Sequence, residues 1–111
     1  MQGGHTVIED ISLAGQALGA LWLSDEIALG AFRVRRVSTV LEQPMHPAPR
    51  RQVGVILTGK LEVEVFSGDR RQFGPGSLVF LEDTSGTGHV TRVLEPATFL
   101  ELHLTLPTPT P

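Results

Sequence analysis

The chain has 111 residues, a formal net charge of −3 and no cysteine. That is the length of one domain, enough to bury a core without disulfides, and it excludes thiolate metal sites and cysteine nucleophiles. The acidic balance, with a pI near 5.7, offers no electrostatic footprint for nucleic acid.

Charged residues make up 19% of the chain and hydrophobic ones 41%, so surplus apolar surface is expected around a cavity or in a homodimer interface. The start, MQGGHTVIEDISL, lacks the apolar centre of a signal peptide. No apolar run approaches the ~20 residues of a membrane span. A cytoplasmic domain with neither nucleic acid nor membrane as partner is expected. Residues 1–5 read as a frayed start, with His5 a tail residue, residues 6–106 as the single domain, and residues 107–111 as a disordered Pro/Thr tail.

In chain order, residues 6–13 (TVIEDISL) suit a short edge strand. Gly15 and Gly19 argue against a helix in the stretch that follows. Leu21, Trp22 and Leu23 form an apolar patch, with Trp22 in the core or a dimer interface. Residues 27–41 are rich in β-branched residues and alternate with a slip near Arg36, the signature of a bulge. Arg33, Arg35 and Arg36 read as a solvated sheet face. Residues 42–49 carry Pro44, Pro47 and Pro49, which cannot donate to a ladder, so an extended, rigid edge or loop is expected there, with His46 in its middle.

Residues 53–58 form an apolar strand turned by Gly59-Lys60. In residues 61–66, Leu61, Val63 and Val65 alternate with Glu62, Glu64 and Phe66, as half-buried strands do. Ser67-Gly68-Asp69 is a hairpin turn, residues 70–73 a short strand, and Gly74-Pro75-Gly76 a tight turn. Residues 77–81 form a strand, and residues 82–88 a polar loop in which Glu82 and Asp83 cap the turn. Residues 89–94 and 98–106 are the last strands, broken at Glu95-Pro96. In the last, Leu100, Leu102 and Leu104 share one face, and Glu101 and His103 the other. Roughly eight short strands with turn signals about every ten residues predict an all-β barrel or sandwich.

The residues from His46 to His89 resemble the barrel of the cupins, small jelly-roll proteins. Their first motif has the form G-x5-H-x-H-x3–4-E-x6-G, and here His46, Ala48, Gln52 and Gly59 fall in that register. Their second motif contains G-x2-H, matched by Gly86 and His89, with Thr84 and Val93 at its proline and asparagine positions. The stretches HPAPRRQ, LTGKLEVEV and FGPGSLVFLEDTSGTGH are similar to a subgroup of small single-domain cupins. The resemblance implies a cupin jelly-roll barrel of short antiparallel strands with a small-molecule pocket at its mouth and a degenerate metal motif. Metal-binding cupins supply two histidines, a glutamate and a third histidine; Ala48 and Gln52 replace two of these. Two imidazoles and an amide are a poor set for a divalent cation, so no metal cofactor is favoured.

Without a metal, His46 and His89 become an acid–base pair, since imidazole both takes and returns protons near neutral pH. Gln52 would orient the substrate, and one of Arg50 and Arg51 would bind a carboxylate or enolate oxygen. Glu101 or His103 would join them if their strand face turns inward. Ile56, Leu57, Phe80, Leu100 and Leu102 are expected as core first and pocket wall second. The expected activity is that of a metal-independent isomerase, cyclase or lyase acting on a small carbonyl or aromatic metabolite. The alternatives are an iron- or manganese-dependent oxygenase using His46, Gln52 and His89 (nickel and zinc being other candidate metals), and a non-catalytic ligand-binding or sensing module.

Overall fold

The computed structural model describes residues 4–105. Eight strands are found in them and no helix: β1 (Gly15–Leu18), β2 (Leu21–Ser24), β3 (Leu29–Val37), β4 (Leu41–His46), β5 (Gln52–Val65), β6 (Arg70–Phe73), β7 (Leu78–Leu81) and β8 (His89–Leu104). Without a helix, nothing described is a helix long and apolar enough to cross a membrane. All pairings are antiparallel, so the all-β class read from the turn spacing is what the chain adopts. Leu106 and the residues 107–111 expected as a loose tail lie outside the described residues, as do residues 1–3 of the expected frayed start.

Two long strands, β5 and β8, pair along nearly their whole length and carry the fold. On the free edge of β8, β3 pairs with residues 97–104 and β4 with residues 89–93. On the free edge of β5, β7 pairs with residues 52–55 and β6 with residues 61–64. Each long strand therefore serves two four-strand halves, β3–β8–β5–β7 and β4–β8–β5–β6. The ladder does not close into a barrel: β3, β4, β6 and β7 have no second partner among the described residues.

The expected breaks at Gly59-Lys60 and Glu95-Pro96 are instead bends within continuous strands. Register shifts between Ile56 and Leu61 absorb the change of direction. Gly59 has φ +87°, and a Cβ there would overlap the backbone of Pro96 and Ala97, so only glycine lets the two bends nest. At this corner Ile56, Leu61, Val93 and Ala97 form the core, with Val37, Phe73 and Phe99 against it. Ile56 is 1% exposed, a burial that stabilises by roughly 1.5–3 kcal/mol.

The turns follow their chemistry. Gly68 takes φ +93° between β5 and β6, where its N–H donates to the Val65 carbonyl. Ser77 donates to the Gly74 carbonyl to close the Gly-Pro-Gly turn. Residues 6–13 form no strand. β3 slips between Leu29 and Ala31, next to Gly30, and not near Arg36. Among the described residues the β1–β2 hairpin pairs only with itself, and every residue from Ala14 through Arg36 is exposed, Trp22 included; Trp22 is therefore not in the core that the described residues form.

Candidate functional site

A cavity of about 340 Å³ lies between the two halves of the sheet. Its apolar walls include Ile56, Leu61, Val63, Phe73 and Phe99, and its polar groups include His46, Gln52, His89, Arg35 and Glu101.

His46 reaches the cavity because β4 carries a bulge. Gln43 pairs with Thr91 and His46 with His89, three steps on β4 against two on β8. Side chains alternate along a strand, so one extra residue moves everything after it to the other face. Pro44, which cannot donate to the ladder, sits in the bulge. The result puts His46 directly across from His89, with ring centroids 5.5 Å apart and planes tilted by 41°. Gly88 makes the approach feasible. Its φ is +76°, and a Cβ there would overlap the backbone of His46 and Pro47.

Each imidazole is held through Nδ1. His46 Nδ1 donates to the Pro44 carbonyl at 2.8 Å, and His89 Nδ1 to Asp83 Oδ2 at 2.7 Å. A carbonyl and a carboxylate only accept, so both Nδ1 atoms carry hydrogen. In the neutral rings both Nε2 atoms then keep a lone pair, and neither Nε2 has a hydrogen bond among the described residues. His89 is 3% exposed.

Asp83, expected only to cap a turn, orients His89. It also accepts from Thr6 Oγ1 at 2.8 Å, while its backbone carbonyl accepts from the Ala48 N–H at 2.9 Å. Burial pushes its carboxyl upward, but the hydrogen bonds from His89 and Thr6 and the attraction of His89 outweigh this and hold it below its ordinary value. The segment bearing Thr6 covers a second cavity of about 360 Å³ against β6 and β7, which backs onto Asp83 and His89. Just before it, His5 stacks on Phe66 with centroids 4.0 Å apart and contacts Thr87 Oγ1 at 3.2 Å, so this histidine is anchored and not a loose tail residue.

Glu101 does turn inward. It is 5% exposed, and its carboxylate meets Arg35 Nη2 at 2.8 Å, Arg33 Nε at 3.6 Å and His103 Nε2 at 2.8 Å. Burial raises its carboxyl; His103 and the two arginines more than offset that, and the net direction is downward. His103 does not line the cavity but stands behind Glu101, its Nδ1 facing Arg50 Nη1 at 3.2 Å.

Neither Arg50 nor Arg51 lines the cavity; Arg51 pairs with Glu82 at 2.6 Å. The arginine at the cavity is Arg35, one of the three read as a solvated face. Gln52 lines the cavity at 9% exposure, and its Oε1 is enclosed without a hydrogen-bond partner. Of the apolar residues expected as wall, Ile56 lines this cavity. Leu57, Phe80, Leu100 and Leu102 do not; Phe80 borders the second cavity.

The metal set of the cupin motif does not fit these residues. Ala48 brings no donor, Gln52 brings a neutral amide, and Glu101 is committed to two arginines and His103. Among the described residues no three His, Cys, Asp or Glu side chains converge as ligands.

No family model matches the chain, and no curated protein matches it. The solved structures it is similar to include the following two. One is a protein of unknown function from Rhizobium leguminosarum bv. viciae 3841, 20% identical over 67% of this chain and 69% of that one, with a TM-score of 0.45. The other is the Cupin_2 domain of an XRE family transcriptional regulator from Enterobacter cloacae, 17% identical over 70% of this chain and 100% of that one, with a TM-score of 0.42.

Asp83, Thr6, Gly88 and Arg35 escape a reading of local pattern. The first two belong to loops that meet only through the fold. A glycine immediately before His89 was a signal for Gly88, since close backbone approach selects glycine.

Proposed function

We propose that this chain is a small-molecule-binding, cupin-like domain whose histidine pair moves a proton on a small carbonyl metabolite, as an isomerase, cyclase or lyase does without a metal. One observation carries the reading. Two imidazoles face each other in a largely apolar cavity, each tied at Nδ1 and presenting Nε2, and one is backed by a buried carboxylate. In the proposed step His89 takes a proton from the carbon beside the carbonyl, and Asp83 stabilises the imidazolium so formed. His46, entering protonated, gives its Nε2 proton to the carbonyl oxygen. The pair begins and ends with one proton, which is returned when the enol collapses.

The test is deuterium uptake from D2O into a panel of small enolisable ketones and oxo acids, followed by proton NMR. The wild type is expected to exchange at least one member, and His46→Ala and His89→Ala to slow that exchange by ~10²-fold or more. Exchange at the wild-type rate in both folded variants overturns the proposal. Binding without exchange would make the domain a non-catalytic ligand-binding module. Elemental analysis of protein purified without chelator separates the oxygenase reading: stoichiometric metal that disappears in His89→Ala would replace the acid–base pair by a metal centre.

A further inference from the structure

We infer that the β1–β2 hairpin is an arm whose partner is a second copy of this chain. It lies over the Phe32–Val34 end of the partner's sheet, and the partner's hairpin covers the same surface in return. The inference stands apart from the chemistry of the histidine pair.

The hairpin is apolar and bare. Residues 11–24 carry no charged side chain. Leu18, Leu21, Trp22 and Leu23 are all exposed. Alternation puts Trp22 on one face of β2 and Leu21 and Leu23 on the other, so both faces are open. The indole lies against Gly15, where a Cβ would overlap it, and is still 51% exposed. Among the described residues β1 and β2 pair only with each other, and a lone two-stranded hairpin is marginally stable at best in water.

The hairpin does not cover its own sheet. Residues 25–28 join it to β3, and both ends of that link are tied. The Asp25 N–H donates to the Ala14 carbonyl at 2.8 Å at the foot of the hairpin, and the Thr105 N–H donates to the Ala28 carbonyl at 3.2 Å beside β3. Held this way, the hairpin leaves Phe32 and Val34 of its own chain 64% and 53% exposed.

A second copy covers both bare surfaces at once. Each copy has one hairpin and one open row, and a two-fold pairing sets each hairpin on the other copy's row, the reciprocity of an isologous interface. The rims match in charge. Asp25 and Glu26 stand at the foot of the hairpin, and Arg36 ends the row of Phe32 and Val34. All three are exposed and have no ion-pair partner among the described residues. The area suffices as well. Nine large apolar side chains are exposed between Ile11 and Val34, and at roughly 100 Å² each they supply the ~800 Å² per partner that a stable interface buries.

Trp22 is the one tryptophan of a chain without tyrosine, so its emission reports on the hairpin. The test follows that emission and the sedimentation of the full chain through one dilution series. The concentrated chain should sediment as a dimer, with emission blue-shifted from that of the urea-unfolded chain. On dilution, dissociation and a red shift should coincide. Leu21→Asp on the hairpin and Phe32→Asp on the sheet should each raise the dimer dissociation constant ~30-fold or more, the scale of an interface hot spot. Where the wild type is dimeric, Phe32→Asp should also move the Trp22 emission to the red. Phe32→Ala, expected to weaken the dimer ~10-fold, covers the case in which the aspartate variant does not fold.

Three results would overturn the inference. A monomer at every concentration would leave the hairpin without a partner copy. A blue-shifted emission that persists in the monomer would have the hairpin covered within its own chain. A dimer of unchanged affinity in Phe32→Ala would have the hairpins meet each other and not the sheet.

Discussion

Where β3, β8, β5 and β7 run side by side, the two faces of the same strands carry opposite chemistry. Outward, the pairing lines up Phe32, Leu102, Val53 and Phe80 in one row and Val34, Leu100, Val55 and Leu78 in the next. Inward, the rows read Arg33, Glu101, Gly54 and Val79, then Arg35, Phe99 and Ile56. Alternation sorts side chains onto two faces but does not say which face is inside. The usual expectation buries the apolar rows. Here the cavity takes the row with the ion pair, and the apolar rows on the opposite face are open at the β3 end, with Phe32 at 64% exposure, and covered at β5, where Val53 is 4% exposed. The inward face gives up packing area for a polar site, and the corner at Ile56 supplies the stability that the site does not.

If that division holds, the largest loss of stability comes from the corner. Ile56→Ala removes a side chain enclosed by Leu61, Val93 and Ala97 and should cost ~2–5 kcal/mol in urea unfolding. A cost below that of an exposed substitution would mean that the corner is not the core.

Next in size is Gly88→Val. The site needs φ +76° and the space that a Cβ would take from the backbone of His46. The strain should cost on the order of 1–3 kcal/mol. His46 should be displaced from His89, with loss of deuterium uptake in protein that still folds. Wild-type uptake in Gly88→Val would show that the facing geometry of the two rings is not required.

A smaller effect is expected from Asp83→Asn, read as a slope against pH. Asp83 is held below its ordinary value in the folded chain, with its hydrogen bonds and the attraction of His89 overcoming burial. A carboxyl depressed in this way contributes stability above its unfolded value, near ~4, and loses it as pH falls through the folded value. The wild type should therefore lose stability on acidification below about pH 4, and Asp83→Asn should lose less. Equal slopes would mean that Asp83 does not stay ionised against His89.

Much of this architecture is legible in the sequence where the physics is local. The alternation of LEVEV, the Ser-Gly-Asp hairpin and the Gly-Pro-Gly turn depend on neighbours in the chain, and the all-β class follows from them. The placement of His46 and His89 follows from motif spacing. What is hidden depends on contacts far apart in sequence. Gly59 looks like a turn until Ala97 is seen above it. Arg50 and Arg51 look like the inward cations because parity cannot be counted through Pro44, Pro47 and Pro49, and Arg35, which is exposed as its pattern suggests, is not marked as a cavity residue because its partner, Glu101, is 66 positions away (101 − 35). Asp83 reads as a loop cap because its bond to His89 spans a loop and not a regular element.

The smallest effect on the chain's own stability belongs to the outward rows, and it is the most telling for the comparison. Phe32 is exposed, so Phe32→Asp should change monomer stability by only ~0.5 kcal/mol or less. The rows carry no charge, so two copies can bring this face together without like-charge repulsion, and a contiguous apolar patch is what an interaction surface presents. Sedimentation of the wild type should accordingly show a dimer that Phe32→Asp turns into a folded monomer. A wild type that sediments as a monomer at all concentrations would leave the apolar rows without a partner copy. A Phe32→Asp chain that fails to fold would place this face in the core and reverse the assignment of inside and outside.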